Sequence, residues 1–113
     1  MADLRHYDEA DIKKTVLDST RPVLVDFYAD WCGPCRMMNP VINELVTEYS
    51  EQVEIGKLDT DASPGVAIRF GIMGIPTLGL FIGGKMVDRL VGYPGPQGVR
   101  SWLDRALEKS QAA

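Results

Sequence analysis

Apolar residues change their spacing several times along the chain, and each change marks an element. Asp8 can cap a helix whose inward positions are Ile12, Val16 and Leu17, and Arg21-Pro22 ends that region. Val23-Leu24-Val25-Asp26-Phe27-Tyr28-Ala29 is a nearly continuous apolar run, which suits a strand covered on both faces. Met38, Val41, Ile42, Leu45, Val46 and Tyr49 then recur at the spacing of a helix buried along one side. Pro40 falls inside that pattern and predicts a kink, because its ring crowds the preceding turn and it offers no N–H. Val53 to Leu58 reads as a further strand. Ser63-Pro64 is the sequence of a cap followed by proline at the first helical position, opening a short helix through Phe70. Thr77 to Ile82 and Lys85 to Val91 flank Gly83-Gly84, a two-residue hairpin signal. Pro96 opens a last helix with Val99, Trp102, Leu103, Ala106 and Leu107 on one face. A βαβ half followed by a hairpin and a helix predicts an α/β fold with a mixed sheet covered by helices.

Composition narrows the function. There is no repeat, low-complexity tract or charge block, so residues 1–113 read as a single domain. The 45% apolar and 25% charged fractions are those of a globular chain. A net charge of −4 argues against nucleic acid as a partner, since such binding draws on a basic surface. No run approaches the roughly 20 apolar residues that span a bilayer. Met1-Ala2-Asp3-Leu4-Arg5-His6 carries charges where an export signal would be apolar, so the expected location is the cytoplasm.

The candidate chemistry is the pair Cys32 and Cys35, the only cysteines in the chain. A structural zinc site needs about four ligands, and His6 is the only histidine, distant in sequence. As a structural bridge, so short a loop would contribute only about 2 kcal/mol. Reversible redox chemistry is therefore the favoured use. Cys32-Gly33-Pro34-Cys35 lies between the apolar strand and the long helix, so Pro34 can take the first helical position and leave Cys32 at the amino terminus. Free N–H groups and the positive dipole end stabilise a thiolate there. Cys32 is thus expected to attack, and Cys35, in the first turn and facing the packed side, to resolve.

These motifs resemble the thioredoxin family. Trp31-Cys32-Gly33-Pro34-Cys35 is similar to its active-site sequence, Val25-Asp26-Phe27 precedes it, and Gly74-Ile75-Pro76-Thr77 follows at the family's distance. The similarity runs from about Leu4 to Leu107. It implies the thioredoxin fold, a central mixed five-stranded sheet with two helices on each face. It also implies that Asp26 is buried behind the cysteines as the general base that deprotonates Cys35, with Lys57 close by. Pro76 would follow a cis bond and face the disulfide, and Ile75 would offer main-chain hydrogen bonds to an extended client segment. Trp31, Gly33, Pro34, Gly74, Ile75, Pro76 and Gly92 would form the client-binding surface around Cys32. Some positions depart from the family: Tyr28 stands where many members have a second tryptophan, Gly79 leaves a packing gap or room for a neighbour, and Tyr93-Pro94-Gly95-Pro96 is a stiff loop.

The resulting expectation is a monomeric protein-disulfide reductase acting on disulfide-containing client proteins. The chain has no G-x-G-x-x-G fingerprint and implies no cofactor of its own, so electrons would come from a partner, by family analogy a thioredoxin reductase. The alternatives are a thiol oxidase or isomerase, a non-catalytic binding subunit, and a two-chain metal site, against which Pro76 argues because in the family it blocks ligation.

Overall fold

Five short strands carry the fold in the order β1-β3-β2-β4-β5. They are β1 (Arg5–Tyr7), β2 (Val23–Tyr28), β3 (Glu54–Asp59), β4 (Thr77–Ile82) and β5 (Lys85–Val91). The computed structural model describes residues 4–111. The reading of Met1, Ala2 and Asp3 as part of a charged terminus without an apolar export signal lies outside them. β1 and β2 both run parallel to β3, whereas β4 is antiparallel to β2 and to β5, so the sheet is mixed. Val23 to Phe27 are all buried, as the continuous apolar run of the central strand β2 requires.

Two clusters of buried side chains define the faces. On one side Leu24, Ile55, Leu78 and Leu80 pack against α2 (Gly33–Glu48) and α4 (Pro96–Gln111) through Met38, Ile42, Leu45, Val99 and Leu103. On the other, Val25, Phe27, Leu58 and Phe81 pack against Ile12, Val16 and Val66. Ile12 and Val16 come from the first helical segment, α1 (Glu9–Asp11) continuing as a wider π-helix (Ile12–Leu17), and Val66 from α3 (Pro64–Arg69). Two helical segments therefore cover each face, as the resemblance implies.

Local signals account for most element ends. Asp8 accepts from the Asp11 N–H at 2.8 Å while Asp11 accepts from the Asp8 N–H at 3.1 Å, a reciprocal capping box. Gly83 and Gly84 take φ of 60° and 84°, which suits the tight hairpin between β4 and β5. α2 runs through Pro40 without interruption, and Pro40 lies on its exposed side.

Several details differ from the sequence reading. Ser63 precedes α3, but its side chain makes no capping hydrogen bond; it is buried, and Pro64 at the helix start removes one donor in any case. Pro34 occupies the second helical position, because Gly33 already begins α2. Gly79 leaves no gap: a Cβ there would lie 3.2–3.3 Å from Met86, Phe81 and Phe27, so neighbouring side chains fill the space. β1 escapes the periodicity altogether, being 3 residues long with two of them exposed.

Candidate redox site

β2 delivers the chain to the cysteines, and α2 turns it back over the sheet. Cys32 caps α2, with extended backbone at φ −85° and ψ 111°. The Cys35 N–H donates to the Cys32 sulfur at 3.2 Å, so an otherwise unpaired helix-terminal donor points at the atom that would carry thiolate charge. The two cysteines are joined as a disulfide, with Cα atoms 5.2 Å apart. Both are buried, Cys32 at 4% exposure and Cys35 at 1%, in a small cluster with Ala29 against which Tyr28 and Ile75 pack.

Asp26 sits on the same face of β2 as Leu24 and Tyr28, since alternate side chains share a face. That is the face beneath α2, where Leu24 packs against Met38 and Ile42. Asp26 is fully buried, and among the described residues neither carboxylate oxygen has a hydrogen-bond partner. Burial pushes its carboxyl up to about 7, and the nearby Lys57 charge opposes this only in part. Lys57 is the register partner of Asp26 on β3. It is buried as well, with its ammonium donating to Asn39 Oδ1 at 2.7 Å and lying 4.2 Å from the centre of the Tyr28 ring.

The segment opposite the cysteines is equally well defined. Ile75–Pro76 is a cis peptide, and Pro76 is buried. The Thr77 hydroxyl donates to the Gly74 carbonyl at 2.6 Å, and the Gly92 N–H donates to the Pro76 carbonyl at 2.7 Å. Gly92 has φ +87°, a left-handed conformation that glycine adopts without strain. Trp31 is 68% exposed, with its indole N–H donating to Asp61 Oδ2 at 2.9 Å, and Met73 and Val91 are exposed too. The buried tryptophan is Trp102, on α4.

The sequence-predicted residues thus fall into two groups. Cys32, Cys35 and Ile75 share one cluster, and Asp26 with Lys57 lies beneath α2, the helix on which Cys35 stands; Trp31, Gly33 and Pro34 edge the cysteines along the chain, while Gly74 and Gly92 flank Pro76. Asn39 and Asp61 were not foreseen. Asp61 carries no local signal. Asn39 stands one helical turn beyond Cys35, the spacing at which two α2 side chains share a face, and that is the only hint the sequence holds.

Comparison with known proteins agrees with this geometry. The Thioredoxin family model matches residues 3–105. Thioredoxin 1 of Synechococcus elongatus is 48% identical over 99 residues, covering 88% of this chain and 92% of its own length. Thioredoxin 1 of Nostoc sp. is 50% identical over 101 residues, covering 89% and 91%. A thioredoxin of Alicyclobacillus acidocaldarius is 45% identical over 92 residues, covering 81% and 88%. Members of this family are reduced by thioredoxin reductase and act on disulfide-containing clients. The chain belongs to the thioredoxin family of protein-disulfide reductases, and its closed Cys32–Cys35 pair is the oxidised half of a dithiol–disulfide exchange.

Proposed function

We propose that this chain works as a single-domain, monomeric reductase in the cytoplasm, re-reduced by a thioredoxin reductase, with Cys32 as nucleophile and Cys35 as resolving thiol. The Cys32 thiolate attacks one sulfur of a client disulfide; a Cys32–client bond forms, the client S–S bond breaks, and the released client thiolate takes a proton from solvent. Cys35 then passes its proton to the Asp26 carboxylate and attacks the Cys32 sulfur. The second client sulfur leaves, and the two electrons of the dithiol have moved to the client.

The observation that carries this reading is Asp26. A carboxylate without hydrogen-bond partners, in a dry core under the helix that bears Cys35, is costly to keep, and its raised pKa suits a base working near neutrality. Trp31, Gly33, Pro34, Gly74, Ile75, Pro76 and Gly92 make the docking surface. Ile75 pairs through its backbone with an extended client segment, which favours shape over sequence and accounts for a broad client range.

Equilibration of the Cys32/Cys35 couple against glutathione tests the direction of electron flow. The expected potential is more reducing than the cytosolic glutathione pool, and a more oxidising value would make the chain an oxidase instead. Asp26→Asn tests the base: resolution of a preformed mixed disulfide is expected to slow at least tenfold near neutral pH.

A further inference from the structure

The exchange chemistry leaves one polar arrangement in the core unexplained. Lys57 and Asp26 are register partners on adjacent strands, and both are buried. Opposite charges in a low-dielectric interior attract strongly, so a direct ion pair would be the ordinary outcome. Instead the Lys57 ammonium donates to the neutral amide oxygen of Asn39 at 2.7 Å and faces the Tyr28 ring, 4.2 Å from its centre. Both oxygens of Asp26 stay without a partner among the described residues. The restraint comes from two elements, Asn39 from α2 and Tyr28 from β2.

We propose that Asn39 is a positioning residue, whose amide oxygen, together with the Tyr28 ring, holds the Lys57 ammonium off Asp26 so that the carboxylate stays open to the Cys35 proton. This rests on the reading of Asp26 as proton acceptor. A carboxylate locked in a buried ion pair holds its charge too well to act as a base, because protonation would forfeit the pairing. A carboxylate with no cation nearby would stay protonated well above neutrality. Holding Lys57 at one remove lets its charge act through space without a hydrogen bond. The charged or titratable groups around Asp26 are Lys57 from β3, Tyr28 on its own strand and, when reduced, Cys35 on α2; Asp30 and Asp59 lie near Tyr28, and β4 contributes only Leu78 opposite Asp26.

The test is the titration of the Asp26 carboxyl carbon by NMR in the full-length disulfide form. The proteins compared are the wild type, Asn39→Ala, Lys57→Met and the double variant. Alanine is favoured inside a helix, so Asn39→Ala leaves α2 intact. Without the amide, the buried ammonium is expected to turn to the carboxylate of its register partner, Asp26. The expected result is a fall of the Asp26 midpoint by about one pH unit in Asn39→Ala. Lys57→Met is expected to raise the midpoint, and adding Asn39→Ala to Lys57→Met to change nothing further. A midpoint in Asn39→Ala that stays in place or rises, or one that falls equally without Lys57, would overturn the proposal. Failure of the parent reading looks different: Asp26→Asn would then resolve mixed disulfides at the wild-type rate, whatever the titrations show.

Discussion

The backbone N–H of Gly92 donates to the carbonyl of Pro76 at 2.7 Å, joining the end of β5 to the start of β4 at the segment that packs on the cysteines. The bond depends on Gly92 holding φ +87°, where a Cβ meets its own backbone rather than any neighbour. Gly92→Ala is expected to lower stability by about 1–2 kcal/mol. It should also raise KM for protein clients several-fold while leaving the rate at saturation nearly unchanged, because the loop and not the thiols moves. Steady-state reduction of a disulfide client, with urea unfolding alongside, checks both effects.

The proposed division of labour between the thiols gives a sharper contrast. Cys35→Ser is expected to accumulate a stable covalent complex with a client, because Cys32 still attacks and no resolving thiol follows. Cys32→Ser should form no such complex and lose turnover altogether, since the helix-terminal N–H that stabilises a thiolate points at position 32 and not at Cys35. Non-reducing gels of each variant with one client distinguish them. A complex that formed through Cys35 would reverse the roles.

What the sequence made legible follows from range. Elements set by neighbours a few residues apart were readable: the Asp8 cap, the Gly83-Gly84 turn, the buried stripe of α2. β1 was not, because Arg5, His6 and Tyr7 become a strand only by pairing with Gly56, Lys57 and Leu58 far along the chain. The site divides in the same way. The thiols and the helix start are local, and Asp26 stood out as a charge in an apolar strand. The link from Asn39 to Lys57 spans 18 residues and two elements, and no spacing rule encodes it.

Gly56 shows how a single missing side chain admits that edge strand. A Cβ at this position would run into the Tyr7 ring, whose hydroxyl donates to Glu54 Oε2 at 2.7 Å. Burial and the Glu54 carboxylate both raise the Tyr7 pKa, so the phenol remains a donor through the physiological range. Gly56→Ala is expected to displace the ring and cost about 2–3 kcal/mol through overpacking and the lost hydrogen bond. The loss should appear in denaturant unfolding. Faster amide exchange along Arg5–Tyr7 than elsewhere in the sheet would locate it.

The raised pKa of Asp26 makes stability itself depend on pH, with a definite sign. In the unfolded chain the carboxyl ionises near 3.8; in the fold it holds its proton up to about 7. Below pH 3.8 both states are protonated, and burying the group carries no charge penalty. Between the two values only the unfolded chain gains by ionising, so stability falls as pH rises, and above 7 the whole penalty persists. A separation of this size corresponds to a loss on the order of 4 kcal/mol. Asp26→Ala removes the dependence, whatever its small cavity costs, because that cost does not vary with pH. Urea unfolding of the disulfide forms at pH 3.5 and pH 8 is therefore expected to show the variant gaining about 4 kcal/mol on the wild type between the two conditions. A constant difference across that range would mean that Asp26 ionises in the fold as readily as in water. The buried carboxylate would then have no claim to be the base that takes the Cys35 proton.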